Sequence, residues 1–124
     1  MVSLVFKTEQ VAIQHLEGIL RYKPDCYYQK FYLKFTSGFP DLMVGYKGEI
    51  AFYEVKILKT TLKAAIKCFE PIQLRTISRM QQSGINCRGL ILESKDIAYL
   101  YSNNHLTTIF DFTALFYQNP MLSV

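Results

Sequence analysis

Residues 41–56 read DLMVGYKGEIAFYEVK, two apolar runs separated by Lys47-Gly48. Lys-Gly between two such runs is a two-residue hairpin turn, and the turn fixes the register of the strands it joins. Tyr46 then pairs with Glu49, Val44 with Ala51 and Leu42 with Tyr53, and the next rung sets Asp41 opposite Glu54. Directly opposed residues point to one face with Cβ atoms about 4.5–5.5 Å apart. Lys56, two residues beyond Glu54, projects to that face as well. Two carboxylates and an ammonium thus converge at the open end of an otherwise apolar hairpin. Stability does not explain the arrangement, because like charges opposed across strands repel and an unpaired buried carboxylate costs several kcal/mol. A hard divalent cation relieves the conflict. Without one, a member of the pair should hold its proton abnormally tightly.

Outward from the hairpin, the pattern alternates helices and strands. Residues 8–22 form a helix, with Thr8 as its cap, Ile13, Leu16 and Leu20 on one face and Pro24 just past its end. Residues 26–35 (CYYQKFYLKF) suit a strand. Beyond the hairpin, a basic stretch leads to a second helix that starts at Pro71 and stops at Gly84. RGLILE and IAYLY read as short strands, and the segment from Thr108 to Pro120 as a strand end followed by a short helix. The order implies an α/β domain with a mixed central sheet flanked by helices, its middle strands buried on both faces.

The chain's 124 residues suit one domain spanning 1–124, and 50% apolar with 19% charged residues reads as globular rather than disordered. No apolar run approaches a membrane span, and the opening MVSLVFKTEQ lacks a secretory h-region. A soluble, cytoplasmic protein is the expectation. Cys26, Cys68 and Cys87 are scattered, with no CxxC and no Cys/His cluster, so they read as small buried hydrophobes. Two histidines, His15 and His105, give no support to a nucleophilic triad.

The net charge of +4 and a pI near 9.0 favour an anionic partner. Lys59, Lys63 and Lys67 recur every fourth residue, and so do Arg75 and Arg79. On helices each set forms a basic stripe, read either as a phosphate-binding face or as an ordinary solvated one. Glu9 shares the inward face of the first helix. It reads either as a third acid of the cluster or as a favourable charge at a helix N-terminus. Gln73, on the second helix, reads either as a site residue or as an exposed helical glutamine.

Ser37-Gly38-Phe39-Pro40-Asp41 followed by Phe52-Tyr53-Glu54-Val55-Lys56 resembles the PD-(D/E)-x-K signature of restriction-endonuclease-like nucleases. Spacing and size are most similar to the Holliday junction resolvases and the VRR-NUC group. Pro71-Ile72-Gln73 looks like the Pro-x-Gln helix start common in the latter. Glu9 matches a first-helix glutamate of resolvase-like members, and Lys34 loosely matches a basic residue ahead of the glycine. The resemblance runs from about residue 8 to residue 92 and implies a restriction-endonuclease-like core.

It further implies phosphodiester hydrolysis with one or two Mg²⁺ or Mn²⁺ ions held by Asp41, Glu54, the Val55 carbonyl and Glu9. Lys56 would orient the attacking water and stabilise charge on the phosphate, and Gln73 would orient the water or Lys56. Lys34, Lys59, Lys63, Lys67, Arg75 and Arg79 would hold backbone phosphates. The expected substrate is DNA, branched rather than sequence-defined. Two symmetric cuts in a junction imply a homodimer, for which Phe110, Phe112, Leu115, Phe116 and Tyr117 are interface candidates and equally core candidates. An RNA or unselective nuclease and a non-catalytic nucleic-acid-binding module are the alternatives.

Overall fold

Thr8 starts the first helix as its spacing predicts. Its hydroxyl accepts the Val11 N–H at 3.2 Å, satisfying one of the donors a helix start leaves free. In this computed structural model, residues 5–31, 38–59 and 62–123 are described, with the backbone alone for 62–64. The elements are α1 (Glu9–Arg21), β1 (Cys26–Lys30), β2 (Leu42–Tyr46), β3 (Glu49–Ile57), a 3-10 turn (Leu62–Cys68), α2 (Pro71–Gln82), β4 (Cys87–Leu92), β5 (Ile97–Ser102), β6 (His105–Phe110) and α3 (Phe112–Gln118).

The six strands form one sheet in chain order, β1 to β6. All neighbours run antiparallel except β3 and β4, which are parallel and joined through the 3-10 turn and α2. A parallel pair needs such a crossover, and that puts an element on the sheet's second face. The expected turn and a second, unpredicted one both take left-handed backbone. Lys47 and Gly48 lie at φ 51° and 79°, and Asn103 and Asn104, joining β5 to β6, at 50° and 65°.

Alternation along the strands divides the core in two. Leu42, Val44, Tyr53, Val55 and Ile57 face α1 and α3, packing with Leu16, Leu20, Phe112 and Phe116. The opposite face joins Phe69, Ile77, Ile91 and Tyr99 beneath α2. Every residue of β4 is buried, as expected for a central strand covered on both sides. Phe112 and Phe116 are fully buried, which resolves the reading of the aromatic tail. They are core, while Phe110 is 69% and Tyr117 44% exposed.

Arg88 is buried within this core, its charge dispersed over oxygen acceptors. It donates to the Leu122 carbonyl at 2.9 Å, to the Met121 carbonyl, and to the Tyr53 hydroxyl at 2.9 Å. That hydroxyl donates in turn to the Pro120 carbonyl at 2.6 Å. The network ties residues 120–122 to the middle of the sheet. No helix among the described residues is long and apolar enough to cross a membrane.

Candidate active site

The hairpin has the expected register up to Leu42–Tyr53, and there it departs. Asp41 does not step on to pair with Glu54 as the next rung. Its N–H donates to the Tyr53 carbonyl at 3.0 Å, so Asp41 joins Leu42 opposite Tyr53 in the manner of a β-bulge. The side chain then takes the vacated ladder position, and Asp41 Oδ2 accepts the Val55 N–H at 2.9 Å. In a strand, the N–H and C=O of one residue point to the same edge, so the Val55 carbonyl also faces the side where Asp41 stands. A bulge re-aims a side chain, and here it brings the carboxylate onto the end of β3.

The two acids meet despite the altered register. Glu54 lies on the α2 face, 2% exposed, with Asp41 beside it. Burial pushes this carboxyl up, and the hydrogen bond and charge of Asp41 push it further, to about 10, against the pull of Lys56. Two neighbouring carboxyls, one of them buried, favour a shared proton or a cation in its place. Gly89 pairs with Glu54 across the parallel ladder and carries the Phe69 ring where a side chain would stand. An added Cβ at Gly89 would fall 2.3 Å from Phe69 Cζ. Glycine here lets the aromatic ring close over the sheet beside Glu54.

Lys56 shares the face of Glu54 and donates to Glu9 Oε1 at 3.4 Å. Lys59 binds the other oxygen of Glu9 at 3.6 Å. Glu9 is therefore held between two lysines, and its charge still acts on Glu54. Among the described residues, no three His, Cys, Asp or Glu side chains come close enough to hold an ion. The reason is topological: α1 packs on the face opposite Glu54, and only its first turn meets the lysines at the end of the sheet. Glu9, Lys56, Lys59, Lys67 and Cys68 line a cleft of about 200 Å³.

Gln73 is engaged at the start of its own helix. Its Oε1 accepts the Glu70 N–H at 2.9 Å, closing the start of α2. The Glu70-x-x-Gln73 spacing carried that signal. Residues 62–68 form a 3-10 turn, which repeats every three residues, so the every-fourth lysine pattern does not stack as an α-helical stripe. Lys59 and Lys67 still share the cleft, and the Lys63 side chain and Lys34 lie outside the described residues. Arg75 and Arg79 lie one turn apart on α2, both exposed. What the sequence reading missed is the Lys59–Glu9 pair and the Phe69–Gly89 packing, neither of which leaves a local pattern.

The chain matches no protein-family model and no curated protein. Among solved structures it is similar to a VRR_NUC domain, with a TM-score of 0.51 and 26% identity over 67% of this chain and 82% of that one. It also aligns with Hjc, a Holliday junction resolvase from the archaeal hyperthermophile Archaeoglobus fulgidus, at a TM-score of 0.47 and 11% identity. That alignment covers 82% of this chain and 83% of the other. A mixed six-stranded sheet with flanking helices, together with the likeness to the VRR_NUC domain, gives this chain the restriction-endonuclease-like α/β fold.

Proposed function

We propose that the chain is a metal-dependent endonuclease that hydrolyses DNA phosphodiester bonds, selecting branched structure as a junction resolvase does. The observation that supports it is Asp41, held by the Val55 N–H at the end of β3, beside the buried Glu54 in a fold similar to that of a VRR_NUC domain. Folding gains nothing from placing two acids together and gains less from withholding them from water. The donor set fits a hard cation, since Asp41, Glu54 and the Val55 carbonyl are all oxygen ligands of the kind Mg²⁺ and Mn²⁺ accept. Bound there, the ion would supply Lewis-acid polarisation of the scissile phosphate and a more acidic water.

The chain's own residues do the rest. Asp41 is fixed by the Val55 N–H and Glu54 by its burial, so neither carboxylate reorganises when charge develops. Lys56, steadied by Glu9, directs a positive charge to that face, orients the attacking water and stabilises negative charge on the phosphate. Lys59 and Lys67, lining the adjoining cleft, hold neighbouring phosphates, and Arg75 and Arg79 extend that reach over α2. Resolving a junction takes two related cuts, so this reading requires a homodimer. Exposed Phe110 and Tyr117 are the part of the aromatic tail left for its interface.

Branched DNA should be cut with Mg²⁺ and left intact in EDTA. Asp41→Ala, Glu54→Ala and Lys56→Ala should each slow cutting by about 100-fold or more while binding in EDTA persists. Undiminished cleavage in all three variants removes the reading. Equal rates on junctions, single strands and RNA would keep the nuclease and remove its selectivity.

A further inference from the structure

On the face of the sheet that carries Glu54, strands β1 to β3 present a surface that the proposed chemistry does not use. Cross-strand pairing sets Tyr27, Gly45 and Ile50 in one row and Gln29, Met43 and Phe52 in the next. Alternation puts both rows on the face opposite α1, where Cys26 and Tyr28 pack instead. A contact between the Tyr27 hydroxyl and Gln29 Oε1, at 3.5 Å, agrees with this placement. Tyr27 is 61% and Ile50 54% exposed, unusual for large side chains on a sheet face. Between them Gly45 has no side chain, and the nearest atom to where its Cβ would be is the Tyr27 carbonyl oxygen at 3.8 Å. Shallow grooves of about 470 and 460 Å³ run to either side of Ile50.

This surface leads to the acid pair. Phe31 donates its N–H to the Asp41 carbonyl at 2.8 Å, and its ring meets Phe39 edge-on at 5.2 Å. Phe39 meets Phe52 in the same way at 6.1 Å. A half-buried chain of rings thus joins the open rows to Asp41 and Glu54, about 14 Å beyond Tyr27 along the strands. None of the six residues in the two rows is charged. On the other side of the acid pair lie Lys56, Lys59 and Lys67. One side suits phosphates; the other, uncharged along its two rows and bordered by Asp25, Lys47 and Glu49, suits the faces of bases.

The geometry points to a platform on which unpaired nucleobases a few nucleotides from the cleavage position stack against Tyr27 and Ile50. This inference rests on the nuclease reading and sharpens it. The substrate would be one with unpaired nucleotides near the cut, because a base within a duplex cannot offer its face.

Binding measured in EDTA by fluorescence anisotropy separates the two readings, with a short single-stranded oligodeoxynucleotide and its abasic counterpart of equal length. Tyr27→Ala and Ile50→Ala, both at exposed positions, should weaken binding of the base-bearing strand by about tenfold each and leave the abasic strand unchanged. Tyr27→Phe should bind as the native protein does. Equal losses on both strands, or no loss on either, overturn the platform. So does a change of sedimentation state in the alanine variants, which would assign the surface to a second copy of the chain. If the alanine variants bind normally while Asp41→Ala abolishes cleavage, the platform falls and the nuclease stands. If the native protein neither binds nor cuts any strand, both fall.

Discussion

Replacing Glu54 by glutamine should make the metal-free protein more stable. In the unfolded chain this carboxyl ionises near its ordinary value of 4.5, whereas in the fold it is pushed up to about 10. Folding between those values therefore takes up a proton. An acid whose folded value is raised gives stability that is greatest below the unfolded value and declines as pH climbs toward the folded one. Each pH unit in that window costs about 1.4 kcal/mol, which amounts to about 3 kcal/mol at pH 7 and under about 1 kcal/mol at pH 5. Glutamine has the same shape and brings an amide donor to Asp41 with no proton to bind. Its imperfect replacement of the original hydrogen bond returns about 1 kcal/mol. A net gain of about 2 kcal/mol at pH 7 follows, fading toward pH 5. Urea unfolding of both proteins in EDTA at the two pH values measures it directly. The reasoning is refuted if Glu54→Gln is the less stable protein at pH 7, or if its advantage is the same at both pH values.

Gly89→Ala drives a Cβ into the Phe69 ring and should cost about 1–3 kcal/mol, seen as a lower Tm; an unchanged melt contradicts the packing described. Cys87 is fully buried, and burial together with the nearby Glu54 pushes its thiol up to about 12. In native protein at pH 8 it should resist thiol reagents that reach the half-buried Cys26 and Cys68, and mass spectrometry should find it modified only after unfolding. Equal labelling of all three would contradict that burial.

The hairpin was legible because Lys47-Gly48 admits one register and the apolar pattern agrees with it. Thr8, Pro71 and Gly84 marked helix ends for reasons that are local in the chain, and local reasons survive into the fold. What escaped the sequence reading depends on contacts between distant residues. The bulge at Asp41 exists because a side chain takes up the Val55 N–H, and no spacing encodes that choice. Glu9 was expected to face inward, and its companions Ile13, Leu16 and Leu20 do. Its own position in the first turn puts it within reach of Lys56 and Lys59 instead. Strand β6 was only half seen, since His105, Thr107 and Thr108 are exposed and break the apolar pattern. Asn103-Asn104 went unread as a turn although both residues tolerate left-handed backbone. Arg88 opens a strand segment that reads as apolar, and nothing near it in sequence announces the carbonyls of residues 120–122.

Calorimetric titration of the metal-free protein with Mn²⁺ bears most directly on the pairing of Asp41 with Glu54. Saturable binding should appear in the native protein with release of protons, and should be lost in both Asp41→Asn and Glu54→Gln. Heats that are absent in the native protein, or that survive in both variants, would mean the two carboxyls do not serve a cation.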